Sequence, residues 1–331
     1  MQDALRQVCQ QFIENREVSH QVFRWESSYV HPLCANIFTA RGLLADGERL
    51  AQCRDLIKQH TGVFSNFRGN LRPALAAMLA VSPQPEDRLL TALQNYDLLK
   101  QDFWGSEYLA LAAFLLADLP DPGPVEERVS RGRGLYRRMK QEHPFLTSSE
   151  DSVFAVLMAY SPRTDDELID DMEACYHALR ARFSAGDSLQ AVSHVLALSE
   201  GSPEEKSQRV IDLFDALRQA GAKYGKYYQL PALAALAALN LPPQDLAPEI
   251  LDASEFLSTQ KGYGIFGLDK RTRLMHGVML CADLHAPLSQ VDTAALTGTL
   301  SMIVAQEMAM CAIIASSAAA SAAAASSSSN S

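Results

Sequence analysis

A pattern of one aromatic residue, two intervening residues, an aliphatic residue and a cation recurs along the chain. It reads Tyr96-Asp97-Leu98-Leu99-Lys100, Tyr136-Arg137-Arg138-Met139-Lys140, Tyr176-His177-Ala178-Leu179-Arg180 and Phe214-Asp215-Ala216-Leu217-Arg218, with a degenerate copy at Phe256. The steps between these aromatics are 40, 40, 38 and 42 residues. A copy without the aromatic, around Ile57-Lys58, precedes them by a similar step. A second aromatic follows each copy in a turn: Phe64, Phe103, Phe145, Phe183, Tyr224 and Phe266. Self-similarity at this period marks an array of helical hairpins, in which each unit buries its apolar face against its neighbours.

Each unit supports a short Ala/Leu-rich helix and a longer amphipathic one. The short segments are Leu71 to Ala80, Tyr108 to Ala117, Val153 to Tyr160, Leu189 to Leu198, Leu230 to Leu239 and Leu274 to Ala282. They are apolar nearly all round, which suits helices enclosed by others. The longer helices carry clear start signals. Ser202-Pro203-Glu204-Glu205 combines an N-cap serine, a proline at the first helical position and a glutamate at the third, and Thr164 with Glu167 forms a second capping box. Pro-rich turns at 83–85, 120–124 and 242–243 separate short helix from long, and no stretch sustains the period-two alternation of a half-buried strand. The fold class read from this is all-α, with about six helical hairpins of roughly forty residues arranged as an open solenoid or a closed α/α toroid. The organisation read along the chain is an N-terminal capping helix in residues 1–30, six hairpins over 31–290, and an Ala/Ser-rich helix and tail over 291–331.

Composition narrows the function classes. With 29 Lys+Arg against 39 Asp+Glu, the formal charge is -10, and a chain lacking a strongly basic balance is a poor candidate for tracking phosphates, so nucleic acid is excluded as the main partner. The six cysteines have no metal-ligand spacing, and the first turns of the chain contain Asp3, Arg6, Glu14 and Arg16 with no apolar signal core, so a cytoplasmic protein is expected. The segment 294–326 has the length of a membrane span but carries Gln306, Glu307 and many Ser and Ala in place of Leu, and a membrane is not expected as a partner.

Catalytic signatures are missing: there is no H-E-x-x-H, G-x-S-x-G or Walker loop. Asp165, Asp166, Asp170 and Asp171 resemble an aspartate-rich metal motif, but Leu168, Ile169, Met172, Cys175, Tyr176 and Leu179 define the apolar stripe, and Asp166, Asp170 and Asp171 fall outside it, on a face expected to be solvated. No metal and no cofactor is therefore expected. His194 and His276, on apolar helices, read as hydrogen-bonded core histidines. Gly262-Tyr263-Gly264-Ile265-Phe266-Gly267 matches G-x-G-x-x-G, yet a helix precedes it where a dinucleotide fold needs a strand. It reads as a turn opening a helix whose first residues include Lys270, Arg271 and Arg273, a setting suited to a small anion.

Polar and aromatic residues also recur at the turn that enters each short helix. These are Arg68; Trp104 and Glu107; Glu150 and Asp151; Asp187; Tyr227 and Tyr228; and Tyr263 with Arg271. Equivalent positions in a stacked array line one edge or mouth. The candidate ligand-binding residues are Trp104, Glu107, Asp151, Asp187, Tyr228, Tyr263, Lys270 and Arg271, with no catalytic residue assigned.

The segments Gly62-Val63-Phe64-Ser65-Asn66-Phe67-Arg68-Gly69, Lys261 to Gly267 and Thr272-Arg273-Leu274-Met275, together with the Ala/Ser-rich end, give the chain a resemblance over nearly its full length to the bacterial domain-of-unknown-function family 4003. The resemblance implies a bacterial helical protein and carries over no catalytic residues. Two functions follow from the residues: a binding or scaffold module that takes a protein, a peptide or a small anionic ligand, or a toroidal enzyme with a carboxylate-lined central pocket. In a ring, residues 31–69 pack against 268–290; in an open array the two segments lie far apart.

Overall fold

Long amphipathic helices alternate with short apolar ones from the first residues onward. In the computed structural model, described over residues 1–118, 123–263 and 267–285, they pair as α1 (Asp3–Val22) with α2 (Val30–Thr39), α3 (Gly47–His60) with α4 (Arg72–Ala80), and α5 (Pro85–Leu99) with α6 (Glu107–Asp118). The series continues with α7 (Val125–Glu142) and α8 (Asp151–Met158), α9 (Asp165–Arg180) and α10 (Asp187–Ala197), α11 (Pro203–Gln219) and α12 (Leu230–Ala237), and α13 (Pro243–Ser258) and α14 (Lys270–His285). No strand occurs among the described residues.

Local chemistry sets the helix starts. Thr164 and Ser202 each accept the N–H of the glutamate three residues on, and each glutamate accepts the cap residue's N–H in return, so α9 and α11 begin on complete capping boxes. Such a cap contributes about 1 kcal/mol. Asp46 caps α3 through the N–H groups of Glu48 and Arg49, while prolines open α5, α11 and α13.

Packing sorts the helices into two layers. Every residue from Pro73 to Ala80 of α4, from Leu109 to Leu116 of α6 and from Leu230 to Ala237 of α12 is buried. Successive short helices pack on one another, α4 and α6 chiefly through residues 66–68 between them, and successive long helices do likewise, so the short helices form an inner layer and the long ones an outer layer. Leu99, Met139, Leu179 and Leu217 are fully buried at equivalent places on the outer helices, and Lys100, Lys140, Arg180 and Arg218 beside them are exposed. The recurring motif thus marks the line where outer helix meets inner helix.

The two ends of the array meet. α1 packs on α13 and α14, and α14 reaches α2. Phe12 lies 6.0 Å from the His276 ring, Arg16 Nη1 donates to the carbonyl of Lys261 at 2.7 Å, and the terminal amine of Met1 lies 2.7 Å from Asp252. Among the described residues the array is a closed ring of seven hairpins. The expected six-hairpin count and the expected end cap differ from this in one respect: α1 is the outer helix of the first hairpin, with α2 as its inner partner. Val30–Thr39 includes His31, Pro32 and Asn36, which mask its apolar character, although all ten residues are buried. The segment 291–331 lies outside the described residues.

The edge of the ring opposite the outer-to-inner turns is built from cations that clamp carbonyls. Arg49 Nε donates to the Ala80 carbonyl at 2.6 Å and its guanidinium also reaches Ser82. Arg131 reaches the carbonyls of Ala159 (3.0 Å) and Ser161 (2.7 Å), and Arg163 reaches that of Ala197 at 3.1 Å. The last carbonyls of a helix have no intrahelical donor, so each clamp satisfies an inner-helix end and complements its dipole. Lys206, 1% exposed, serves the same end at Ser199 and is neutralised by both oxygens of Asp171 at 2.8 and 2.6 Å. Asp171 also accepts from Arg163 Nη1 at 2.6 Å. This corrects the solvated-face expectation for Asp171, which is only 6% exposed. It lies off the apolar stripe because it faces the next outer helix, α11, where its partner is a cation.

Candidate functional site

Each hairpin runs outward-to-inward in the same sense, so all seven outer-to-inner turns gather at one rim, together with the N-termini of the inner helices. Contacts join each of several turns to the neighbouring hairpin. Glu26 pairs with Arg72; the N–H of Leu71 donates to Glu107 Oε2 at 2.9 Å; Asp102 pairs with Arg133; Gln190 donates to Thr147 Oγ1 at 2.9 Å; and Arg182 pairs with Asp215.

Most turns carry a buried aromatic that anchors them: Phe23, Phe67, Phe103, Phe183, Tyr224 and Tyr263. Beside several anchors stands an aromatic with the opposite fate. Trp25, Phe64, Trp104, Phe145 and Tyr227 are between 65% and 100% exposed, on the turns of the first, second, third, fourth and sixth hairpins. The recurring turn aromatics therefore comprise two classes, anchors and exposed tips.

The residues singled out from the sequence all lie at this rim, but in separate groups. Glu107 spends its carboxylate on the α4 N-terminus, and it fills the space that a Cβ on Gly69 would occupy. It is an inter-hairpin cap. Trp104 of the same turn projects freely. Asp151 is buried, accepts the N–H of Ser148 at 2.7 Å, and holds its other oxygen 3.2 Å from His194 Nδ1. That approach lacks hydrogen-bond alignment, and both ring nitrogens of the fully buried His194 are without a hydrogen-bond partner. The alignment, not the distance, makes this a close carboxylate–imidazole contact rather than a directed bond. Phe154 packs against the same imidazole at 5.1 Å.

Glu150, next to Asp151, has its carboxyl pushed up from the usual range, first by burial and then by the neighbouring Asp151 carboxylate, against the opposing pull of Ser148. Burial, Asp151 and Glu150 also raise the Tyr136 hydroxyl, which donates to the Ser148 carbonyl at 3.1 Å. The structure thus assembles Asp151 with three residues outside the candidate set, Tyr136, Glu150 and His194. Glu150 was visible in the repeat position; His194 and Tyr136 come from neighbouring elements, and their spacing in sequence gives no signal of the contact. Chemically the group offers a carboxyl held toward its protonated form beside other acids, the pairing that acid–base chemistry uses.

At the closing seam, Tyr29 is raised by burial, then by Tyr228 and Asp269, which brings the first, sixth and seventh turns together. Tyr263 is fully buried, with its hydroxyl 2.7 Å from His276 Nδ1 and the Arg16 guanidinium over its ring at 5.0 Å. It belongs to the seam and is closed to a ligand. Gly262 holds a left-handed φ of +88°, and a Cβ there would collide with Arg16. Lys270 and Arg271 are exposed at the start of α14, whereas Arg273 turns back toward Ser254 and the Tyr263 carbonyl. Asp269 Oδ1 accepts the N–H of Thr272 at 2.7 Å, so an acid of the chain already occupies that helix start. Gly264, Ile265 and Phe266 lie outside the described residues.

Comparison with known proteins adds the following. The family model described as "Protein of unknown function (DUF4003)" matches residues 16–309. A relative named "Uncharacterized protein YeaA", from Bacillus subtilis (strain 168), is 29% identical over 203 residues, which is 60% of this chain and 61% of that protein. The match therefore spans somewhat less than two thirds of the relative's length. No solved structure matches the chain.

Proposed function

The chain belongs to the bacterial DUF4003 family, and on the geometry of its rim we propose that it is a cytoplasmic helical-repeat binding or scaffold protein whose working face is the edge formed by the outer-to-inner turns. The observation that carries this reading is the set of five exposed aromatic side chains on five turns of one edge. Exposed aromatics grouped on one face offer a large contact area at small conformational cost, and they are the residues that anchor interfaces. The inner layer supports the same reading: its helices are buried along their lengths, which leaves the rim as the accessible surface where equivalent positions converge. The free, buried thiols of Cys9, Cys34, Cys53, Cys175 and Cys281 suit a reducing compartment, and none of the described helices is long and apolar enough to cross a membrane.

The test is association in extracts of the native host. Replacing Trp25, Trp104 and Phe145 by serine is expected to abolish whatever assembly the wild-type chain enters, while replacing Glu86 and Glu126 on the opposite edge leaves it intact. Equal association of both variants contradicts a rim-directed function.

A second reading has its own observation. Glu150, raised by burial beside Asp151, gives the toroidal-enzyme alternative a carboxylate group at the mouth of the ring. That reading requires Glu150→Gln to remove a turnover without altering rim-dependent association; a turnover that survives Glu150→Gln excludes it.

A further inference from the structure

The exposed lysines and the acids of the outer-helix starts divide between the two edges of the ring. Seven of the eight lysines, Lys58, Lys100, Lys140, Lys223, Lys226, Lys261 and Lys270, lie at the ends of outer helices or in the turns of the aromatic rim, and all seven are exposed; the eighth, Lys206, is buried. The first turns of the outer helices, at the opposite edge, carry Glu86 and Asp87, Glu126 and Glu127, Asp165 to Glu167, and Glu204 and Glu205. Helix dipoles explain part of this, since they favour acids at N-termini and cations at C-termini. They do not explain Lys223, Lys226, Lys261 and Lys270, which stand in turns or at an inner-helix start. Nor do they explain why Trp25, Phe64, Trp104, Phe145 and Tyr227 project into water from the same edge.

A protein with a formal charge of -10 that gathers its exposed lysines with its exposed aromatics on one edge is built for a particular kind of surface. The tips belong to different hairpins of one closed ring, so they present several separate anchors along one edge. Aromatic side chains seat at the boundary between headgroup and hydrocarbon, and nearby lysines contribute attraction to anionic headgroups. We infer that the rim docks the ring face-on to an anionic membrane surface, with the aromatic tips in the interface and the lysines against the phosphates. This rests on the rim being the working face, and it names the partner of that face. The absence of a spanning helix among the described residues concerns a different mode of attachment.

The experiment uses the full chain and sedimentation with vesicles of phosphatidylcholine alone and of phosphatidylcholine mixed with phosphatidylglycerol. Binding is expected to the anionic vesicles only, to weaken as salt rises, and to fall roughly tenfold or more in Lys223→Glu/Lys226→Glu. It is expected to fall at least as far in Trp25→Ser/Trp104→Ser/Phe145→Ser. All these side chains are exposed, so the variants keep the wild-type circular dichroism and thermal midpoint, and Glu86→Gln/Glu126→Gln on the other edge binds as wild type. Absence of vesicle binding, while the tryptophan and phenylalanine variants still lose an association in host extracts, overturns the membrane proposal and leaves the rim reading standing. Loss of a dimer in those variants, seen by sedimentation velocity with no vesicle binding, likewise overturns it in favour of a second copy. If the rim variants change neither vesicle binding nor association, both readings fail.

Discussion

Arg16 on the first helix and Lys261 in the last outer-to-inner turn are joined by a 2.7 Å hydrogen bond across 245 residues of sequence. The same guanidinium covers the Tyr263 ring and stands where a Cβ on Gly262 would be, so one side chain of α1 holds residues 261–263 of that turn. Arg16→Ala removes that bond and leaves the Lys261 carbonyl without it. A loss of about 1–3 kcal/mol in urea unfolding is expected, together with faster hydrogen exchange confined to α1 and the 259–269 turn. Unchanged exchange there would show that the seam is held by other contacts.

Asp171 and Lys206 form an ion pair buried between adjacent outer helices. Removing Lys206 leaves the buried Asp171 carboxylate to Arg163 alone, so Lys206→Ala is expected to cost about 1.5–3 kcal/mol, less than a fully stranded charge would. Asp171→Asn should cost less than Asp171→Leu, since an amide still accepts from Lys206 and Arg163. Equal losses for both replacements would mean that packing, not charge, governs this position.

Acid should weaken the seam in a defined window. Burial lowers His276 from the ordinary 6.5 to about 3, and burial, with His20 and Arg16 nearby, lowers His31 to about 4. Between those values and 6.5 the unfolded chain takes up protons that the folded chain refuses. Stability is therefore full above pH 6.5 and declines as pH falls toward 4, by about 1.4 kcal/mol per pH unit for each histidine. Below their folded values the histidines add no further loss. His276→Gln, which keeps a polar partner for the Tyr263 hydroxyl, is expected to reduce the slope of stability against pH between 4 and 6 relative to wild type; an unaltered slope would assign the acid sensitivity elsewhere.

Gly277 brings α14 close enough to α13 that an added Cβ would lie 2.8 Å from the Ile250 carbonyl oxygen. Backbone cannot move aside cheaply, so Gly277→Ala should destabilise the protein by about 1–3 kcal/mol in thermal or chemical unfolding, although alanine is the better helix former. A neutral or stabilising result would show that the two helices have room to separate.

The helical repeat was legible because Leu99, Met139, Leu179 and Leu217 and the cations after them recur at nearly constant spacing, and each unit obeys the same packing. The number of hairpins was not, for a physical reason: a repeat has no intrinsic beginning, and α1 shows its role only through contacts with Lys261 and His276 at the far end of the chain. Asp171 illustrates a second limit. An acid off the apolar stripe reads as solvated, and its buried cation sits 35 residues away on another helix. At the rim, the positions of Trp104, Glu107, Asp151 and Tyr228 were visible as a recurrent turn. What was hidden was division of labour: Glu107 is spent on a helix cap, Tyr263 is sealed in the seam, and Asp151 meets His194 from the next inner helix. Whether a turn aromatic is an anchor such as Phe103 or a tip such as Phe145 depends on one or two residues of register, which a periodicity does not resolve.

Ring closure underlies the seam and the single rim, because it brings the seventh turn beside the first. Spin labels at Gln10 on α1 and Glu255 on α13, both exposed on outer helices, measure it directly by pulsed electron–electron resonance. Helices in contact have axes about 8–10 Å apart, so the account predicts a short and narrow distance distribution, lengthening in the presence of denaturant. A long distance under native conditions, on the order of several hairpin spacings, would show an open array and contradict the closed ring.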